Sequence, residues 1–358
     1  MSSSFGNALK VQIFGQSHAP AIGVCIDGFP AGFSPDLEAL NAFMARRAPG
    51  QGPYATARKE ADLPEFLSGL VEGHTCGAPI TAIIRNTDTR SKDYANIAAM
   101  PRPSHADFPA WMKYGNQADY RGGGHFSGRL TAPLCIAGGL CLQWLAQRNI
   151  QIGAHIAQIG TVHDMAFEPL APQIPVEGKT LDPAAWEKML EEIAAAKADG
   201  DSVGGTIECA VTGLQAGYGE PIFGGLENRL AQILFGIPAV KGLEFGSGFG
   251  CAAMRGSTHN DPYYYDEQGH VRTRSNNAGG ILGGISTGMP IVFRVAFKPT
   301  PSIAQRQESI RFEGGTAPAT LEIKGRHDPC IVPRALPCVE AAAAIAILDA
   351  VLEGNQWN

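Results

Sequence analysis

Apolar and polar positions alternate, or β-branched residues run together, at Leu9 to Phe14, Ala21 to Ile26, Pro79 to Ile84, Gly204 to Val211, Pro290 to Phe297 and Ala319 to Ile323. Each stretch predicts a strand. Between them the spacing becomes helical. Ser34-Pro35-Asp36 reads as an N-cap with proline at the first helical position, opening a helix through Leu37, Leu40 and Met44 to Arg47. Further helices are predicted at Pro183 to Asp199, stopped by Gly200, and at Leu226 to Phe235. Pro133 to Gln147 and Pro337 to Leu352 lack a wide polar face over most of their length, the mark of helices buried between other layers. The expected fold is therefore α+β, a sandwich with central helices. The element order does not alternate steadily, which disfavours a doubly wound nucleotide fold. Glu168 to Lys179 is the most insertion-like stretch, and no linker divides the chain, so a single domain over residues 1–358 is expected.

Composition sharpens this in one respect. Glycine supplies 44 and proline 25 of the 358 residues, yet hydrophobic residues still make up 44% and there is no G-x-y period. Collagen-like and disordered chains are excluded. No apolar run approaches the roughly 18 residues of a membrane span, and the N-terminus lacks a signal-peptide pattern. The eight cysteines are scattered without a C-x-x-C pair, as reduced thiols of a cytoplasmic protein would be. A net charge of -6 argues against a nucleic-acid partner. It says nothing of where the cations lie.

No phosphate-loop, H-E-x-x-H or G-x-G-x-x-G pattern is present, so a Walker ATPase or Rossmann dehydrogenase is not expected. Gly15-Gln16-Ser17-His18-Ala19 imitates a nucleophile elbow but lacks its final glycine and runs into Pro20 and a second strand. The positive signal is a set of cations inside glycine- and proline-rich loops. They are Arg46-Arg47-Ala48-Pro49-Gly50, Arg102 to Asp107, Arg121-Gly122-Gly123-Gly124-His125, Arg272-Thr273-Arg274, Lys298-Pro299-Thr300 and Gly325-Arg326-His327-Asp328-Pro329. Any one of them alone reads sooner as a solvated surface charge. Together they suit backbone amides and guanidinium forks closing on phosphate and carboxylate groups.

His74, His155, His163, His259 and His270 read as surface or satisfied structural residues. His18 and His105 each follow a serine in a tight loop, where an imidazole can deliver a proton near neutral pH. Neither has a second ligand at metal-binding spacing, so no metal is expected.

These residues resemble the chorismate synthase family. The likeness runs through Phe14 to His18, Arg102 to Asp107, Asp119 to Gly124, Ala278 to Ser286, Phe297 to Thr300 and Gly325 to Cys330. It implies a β-α-β sandwich with central helices between antiparallel sheets, assembled as a homotetramer. The implied activity is an anti 1,4-elimination of phosphate from 5-enolpyruvylshikimate 3-phosphate, giving chorismate with the help of reduced FMN. By the same resemblance His18 protonates the departing phosphate, His105 keeps the flavin in its protonation state, and Asp328 with Ser17 relays a proton. Arg47, Arg102, Arg129 and Arg334 match the family's substrate clamps. His125, Phe126, Ser127, Ala239, Gly283, Lys298, Pro299, Thr300, Pro301, Ser302 and Arg326 match its flavin positions.

Some positions depart from the family's commonest pattern: Ala19 and Ser104 replace glycines, Ala48 an arginine, Pro53 a basic residue, and His125-Phe126 stand in a differently written segment. The competing reading is a non-catalytic flavin or polyanion binder, which would need none of His18, His105 and Asp328. NADPH enters only if the chain also reduces its own flavin, and no nicotinamide motif points to that.

Overall fold

The computed structural model describes residues 3–50, 62–86, 100–175, 179–312, 318–323 and 328–354. Two five-stranded antiparallel sheets form its outer layers. The first runs Ser4–Phe5, Lys10–Gly15, Ala21–Asp27, Ile80–Arg85, Glu65–Ser68 in spatial order. The second runs Val240–Phe245, Ile291–Phe297, Gly205–Thr212, Gln151–Ile159, Val162–His163. Between them lie the helices Thr131–Ala146, packed on the first sheet, and Val332–Gly354, packed on the second, with Leu37–Arg47 against both helices. The expected sandwich is the observed one. A single hydrophobic cluster joins Ile22, Val24 and Ile80 of one sheet to Ile207 and Phe293 of the other through Ile136, Leu140 and Ile345 of the helices.

The strands and helices expected from the pattern are present within a few residues, and the differences have local causes. The first helix begins at Leu37, and its cap is Asp36, not Ser34: Asp36 Oδ1 accepts from the Glu38 and Ala39 amides, both at 2.9 Å. A carboxylate at this end also meets the helix dipole, which a serine does not. The C-terminal helix starts five residues before the expected Pro337, at Val332, and carries Pro337 inside it. Pro337 has no N–H to donate inside that helix, and the residues on both sides of it are buried. Gln151–Ile159 was not expected as a strand. It is buried on both faces through its middle and so shows no period of two.

Two described helical stretches, Gly128–Ala146 and Val332–Gly354, are long and apolar enough to cross a bilayer, contrary to the expectation from the bare sequence. They are buried inside the protein over 78% and 94% of their most apolar windows, so the sandwich itself accounts for their composition. The Pro183–Ala198 helix opens on Pro183 after an Asp182 cap.

Candidate active site

At one end of the sandwich the loops converge on a cavity of about 790 Å³. The glycine run gives it its shape. Gly122, Gly123 and Gly124 have φ of 59, 83 and 55°, a left-handed path that side chains resist. A Cβ on Gly122 would stand 2.7 Å from Ser17 Oγ and closer still to the His18 ring. One on Gly123 would meet His105 Cε1 at 3.5 Å. The run thus separates two histidines that lie 87 residues apart in the sequence, His18 behind Gly122 and His105 beside Gly123. The Ser17 amide donates to Gly124 O at 3.1 Å, tying the two loops together.

His105 lines the cavity within a buried ion network. Its Nδ1 is 2.6 Å from Asp107 Oδ1 and 3.0 Å from Arg102 Nη2. Guanidinium has no acceptor, so one ring nitrogen cannot serve both partners, and the shorter contact decides that Nδ1–H donates to Asp107. Arg102 Nη2 and Nε in turn donate to Asp107 at 2.8 and 2.7 Å. Burial alone would raise the Asp107 carboxyl, but the bonds from Arg102 and His105 outweigh it and hold the group well below the usual carboxylate range. His105 Nε2 is left on the side of Gly123.

A second network carries the other arginines. Asp62, fully buried, pairs with both Arg47 and Arg129. Arg47 Nε also donates to Thr131 Oγ1 at 3.1 Å, and Arg129 Nε to Asn86 Oδ1 at 3.1 Å. Burial would lower the Arg47 guanidinium, but the Asp62 charge more than compensates and raises it. Arg334 pairs with Asp328 and donates from Nε to Arg47 O at 3.0 Å. Burial, with the Arg47 charge beside it, pulls the Arg334 guanidinium down.

The expected site residues are mostly brought together. Arg47, Arg102, Arg129, Arg334, His105, Asp328, His125, Phe126, Ser127, Ala239, Lys298, Thr300, Pro301 and Ser302 all line the cavity. His125 is held at both nitrogens, Nδ1 to Gly15 O at 2.7 Å and Nε2 to Ser3 Oγ at 2.8 Å, so it presents ring carbon there and not a donor. Lys298 Nζ is bonded to Ser104 O and, at 2.9 Å, to Ser104 Oγ. Ser17 and His18 are buried one layer behind the lining. Pro299 is exposed beside it. Gly283 lies apart, exposed in the turn between Ile281–Leu282 and Ile285–Ser286. The glycine pair there serves the turn, where Gly284 packs on Gly225. Arg326 and Pro53 fall outside the described residues.

Sequence reasoning missed Asp62, Asp107, Lys241 and Thr131. Asp107 stood inside a quoted motif and could have been found as the carboxylate nearest His105. Asp62 had no local signal, since its role depends on two arginines brought from other loops.

A model of the chorismate synthase family matches residues 9–352. The chain is 46% identical to the chorismate synthase of Lancefieldella parvula, over 98% of this chain and 96% of that one. It is 45% identical to that of Thermococcus kodakarensis, over 99% and 98%, and 43% identical to that of a Synechocystis species, over 98% of each. A solved structure described as a crystal structure of chorismate synthase superposes with a TM-score of 0.76 at 29% identity, covering 97% of this chain and 93% of the other.

Proposed function

The chain belongs to the chorismate synthase family, and from that premise we propose that the loop-lined cavity is where phosphate is eliminated from 5-enolpyruvylshikimate 3-phosphate to give chorismate. The protein is a carbon–oxygen lyase. A ring C–O bond and a ring C–H bond break, one C=C bond forms, and no net oxidation occurs. The observation that carries the assignment is charge. Arg47, Arg102, Arg129, Lys241, Lys298 and Arg334 face one cavity, with Asp62, Asp107 and Asp328 as the carboxylates bonded among them. That excess suits a substrate bearing a phosphate and two carboxylates.

The residues present also fit reduced FMN. Thr300 Oγ1 is buried without a hydrogen-bond partner among the described residues, on the same loop as Lys298 and Ser302. Those three would hold the flavin phosphate, and Phe126, Ser127, Ala239 and Pro301 its remainder. When bound, the reduced flavin supplies electron density transiently as phosphate departs. The protein's part is to fix charge and protons. Asp107 sets the His105 tautomer so that Nε2 can exchange a proton on the cavity side. Asp62 holds Arg47 and Arg129 side by side before any substrate anion arrives, which removes part of the ordering cost. His18 lies against Gly122, which lines the cavity and has no side chain to stand between the His18 ring and it.

Anaerobic incubation with dithionite-reduced FMN and 5-enolpyruvylshikimate 3-phosphate tests the reading. Phosphate and chorismate should appear in equal amounts, and the absence of both overturns it. Oxidised FMN with NADPH in place of dithionite separates a chain that depends on externally reduced flavin, the expected outcome, from one that reduces its own. Self-association as a tetramer would cover the exposed Phe223, Phe249, Tyr265 and Ile222, and sedimentation equilibrium measures it.

A further inference from the structure

Two thiols under the cavity take no part in the steps above. Cys338, on the Val332–Gly354 helix, lines the cavity, and Cys135, on the Thr131–Ala146 helix, is buried behind it with its Sγ 3.8 Å from Cys338 Sγ. The helices are unusually close at this level. A Cβ on Gly138 would stand 2.7 Å from Ala341 O and nearer still to the Ala341 side chain. Gly138 and Ala341 each lie three residues beyond the respective cysteine, so the seam of small residues continues through the pair.

Other buried cysteines behave differently. Burial pushes the thiols of Cys141 and Cys209 far up, and that of Cys330 up to about 12. Cys338 is held below the ordinary thiol value, first by the hydrogen bond from Cys135 and then by the Arg47 guanidinium, Thr131 and Arg334, against the opposing effect of burial. Cys135 goes the other way, through burial first and Cys338 second. Cys338 is the sulfur that lines the cavity, with the Arg47 and Arg334 charges favouring its thiolate, and Cys135 lies behind it within reach.

We propose that Cys338 and Cys135 form a reversible oxidation site, in which a small hydroperoxide entering the cavity oxidises Cys338 and Cys135 then closes a disulfide between the two helices. In the first step the Cys338 sulfur attacks one oxygen of hydrogen peroxide. The S–O bond forms as the O–O bond breaks, and the departing hydroxide takes up the proton Cys338 released, as water. In the second step the Cys135 sulfur attacks the Cys338 sulfur. The S–S bond forms as the S–O bond breaks, and hydroxide leaves with the Cys135 proton as a second water. The peroxide gains two electrons, and each sulfur supplies one. The site does not depend on which anion binds above it.

The test treats the full chain with a small molar excess of hydrogen peroxide, alkylates the remaining thiols and maps peptides without reduction. A linked Cys135–Cys338 peptide, lighter by two hydrogens and restored by dithiothreitol, is the expected result. In Cys135→Ser the reaction should stop at the sulfenic acid, so dimedone should label Cys338 about tenfold more than in the parent protein. In Cys338→Ser, Cys135 should stay unlabelled. Oxidation of the exposed Cys76 and Cys251 with Cys338 still a free thiol overturns the proposal, as does equal dimedone labelling of Cys338 with and without Cys135.

Discussion

His105 and His155 each place Nδ1 against a buried aspartate, at 2.6 Å from Asp107 and 2.9 Å from Asp164. Beyond that bond they differ. His155 Nε2 meets Glu208 Oε2 at 3.0 Å, Glu208 also accepts from the Phe167 amide and from Arg294, and Asp164 accepts from the Leu181 and Asp182 amides. Every polar edge of that cluster points at protein, and its histidine is fully buried. It ties the chain around Phe167 and Leu181 to the second sheet. His105 has carboxylate on one side and the cavity on the other, with its side chain 17% exposed. Burial and a carboxylate partner are common to both. What marks the site is the unfinished edge, together with an excess of cations around it.

Mutation of each histidine separates the two uses most strongly. His105→Ala and His18→Ala should each lower turnover by about 10² to 10⁴, the scale of positioned acid–base catalysis. His155→Ala should leave the turnover of the folded fraction unchanged and cost about 3 to 5 kcal/mol of stability, because Asp164 and Glu208 remain buried with a partner lost. Steady-state kinetics beside urea denaturation distinguishes the outcomes. A large loss of turnover in His155→Ala without loss of stability would erase the comparison.

Much of the sandwich was legible because its strands and helices carry their burial as local pattern. Ala21–Asp27 and Ile291–Phe297 are apolar where they are buried, and the helix Thr131–Ala146 is apolar all round because it lies between layers. Gln151–Ile159 was not legible, because Gly153, Ala154, His155 and Gln158 break both the alternation and any β-branched run. Arg47, Arg102 and Lys298 were legible from their glycine- and proline-rich setting, Arg129 and Arg334 only through the resemblance, and Lys241 not at all. Of their carboxylates, Asp328 was named through the resemblance but Asp62 was not: it matters only because Arg47 and Arg129 come to it from helix end and loop, a meeting no short window of sequence contains. Gly283, carried over by resemblance, stands in an exposed turn outside the described cavity lining.

The Asp62 bridge is the next place to press. Asp62→Asn keeps the shape but leaves two buried guanidiniums facing a neutral amide, and stability should fall by about 3 kcal/mol or more. Unlike the His155 loss, this one should be partly reversible by inorganic phosphate, which can bridge the two arginines from the cavity and stabilise by mass action. Thermal melts with and without phosphate should show a larger upward shift for the variant than for the parent protein. An equal shift would mean that the arginines hold their places without Asp62.

Asp107 permits a smaller, pH-resolved test. Its folded carboxyl is held below its unfolded value, so its contribution is complete above about pH 4, the ordinary aspartate value, and is lost as pH falls toward the lowered folded value. Asp107→Asn should therefore be less stable than the parent by a margin of about 1.5 to 3 kcal/mol that is constant from pH 7 to about 5. The margin should narrow only below about pH 4. Denaturant midpoints across that range give the curve, and a margin that closes near neutrality would mean that the Asp107 carboxylate does not set it.

The smallest expected effect concerns Ser104, which holds a left-handed φ of 61° at the cavity rim and bonds Lys298. Left-handed backbone costs a side-chain-bearing residue about 1 kcal/mol, and a hydrogen bond to the partly buried Lys298 ammonium returns about as much. Ser104→Gly should thus change stability by less than about 1 kcal/mol. Its consequence should fall on Lys298, whose ammonium burial pulls down, with the Lys241 charge adding to it. Released from the hydroxyl, that lysine keeps the Ser104 carbonyl, so affinity for FMN in a fluorescence titration should move by less than about threefold. A loss of 2 kcal/mol or more in stability would place Ser104 among the groups that build the cavity and not at its rim.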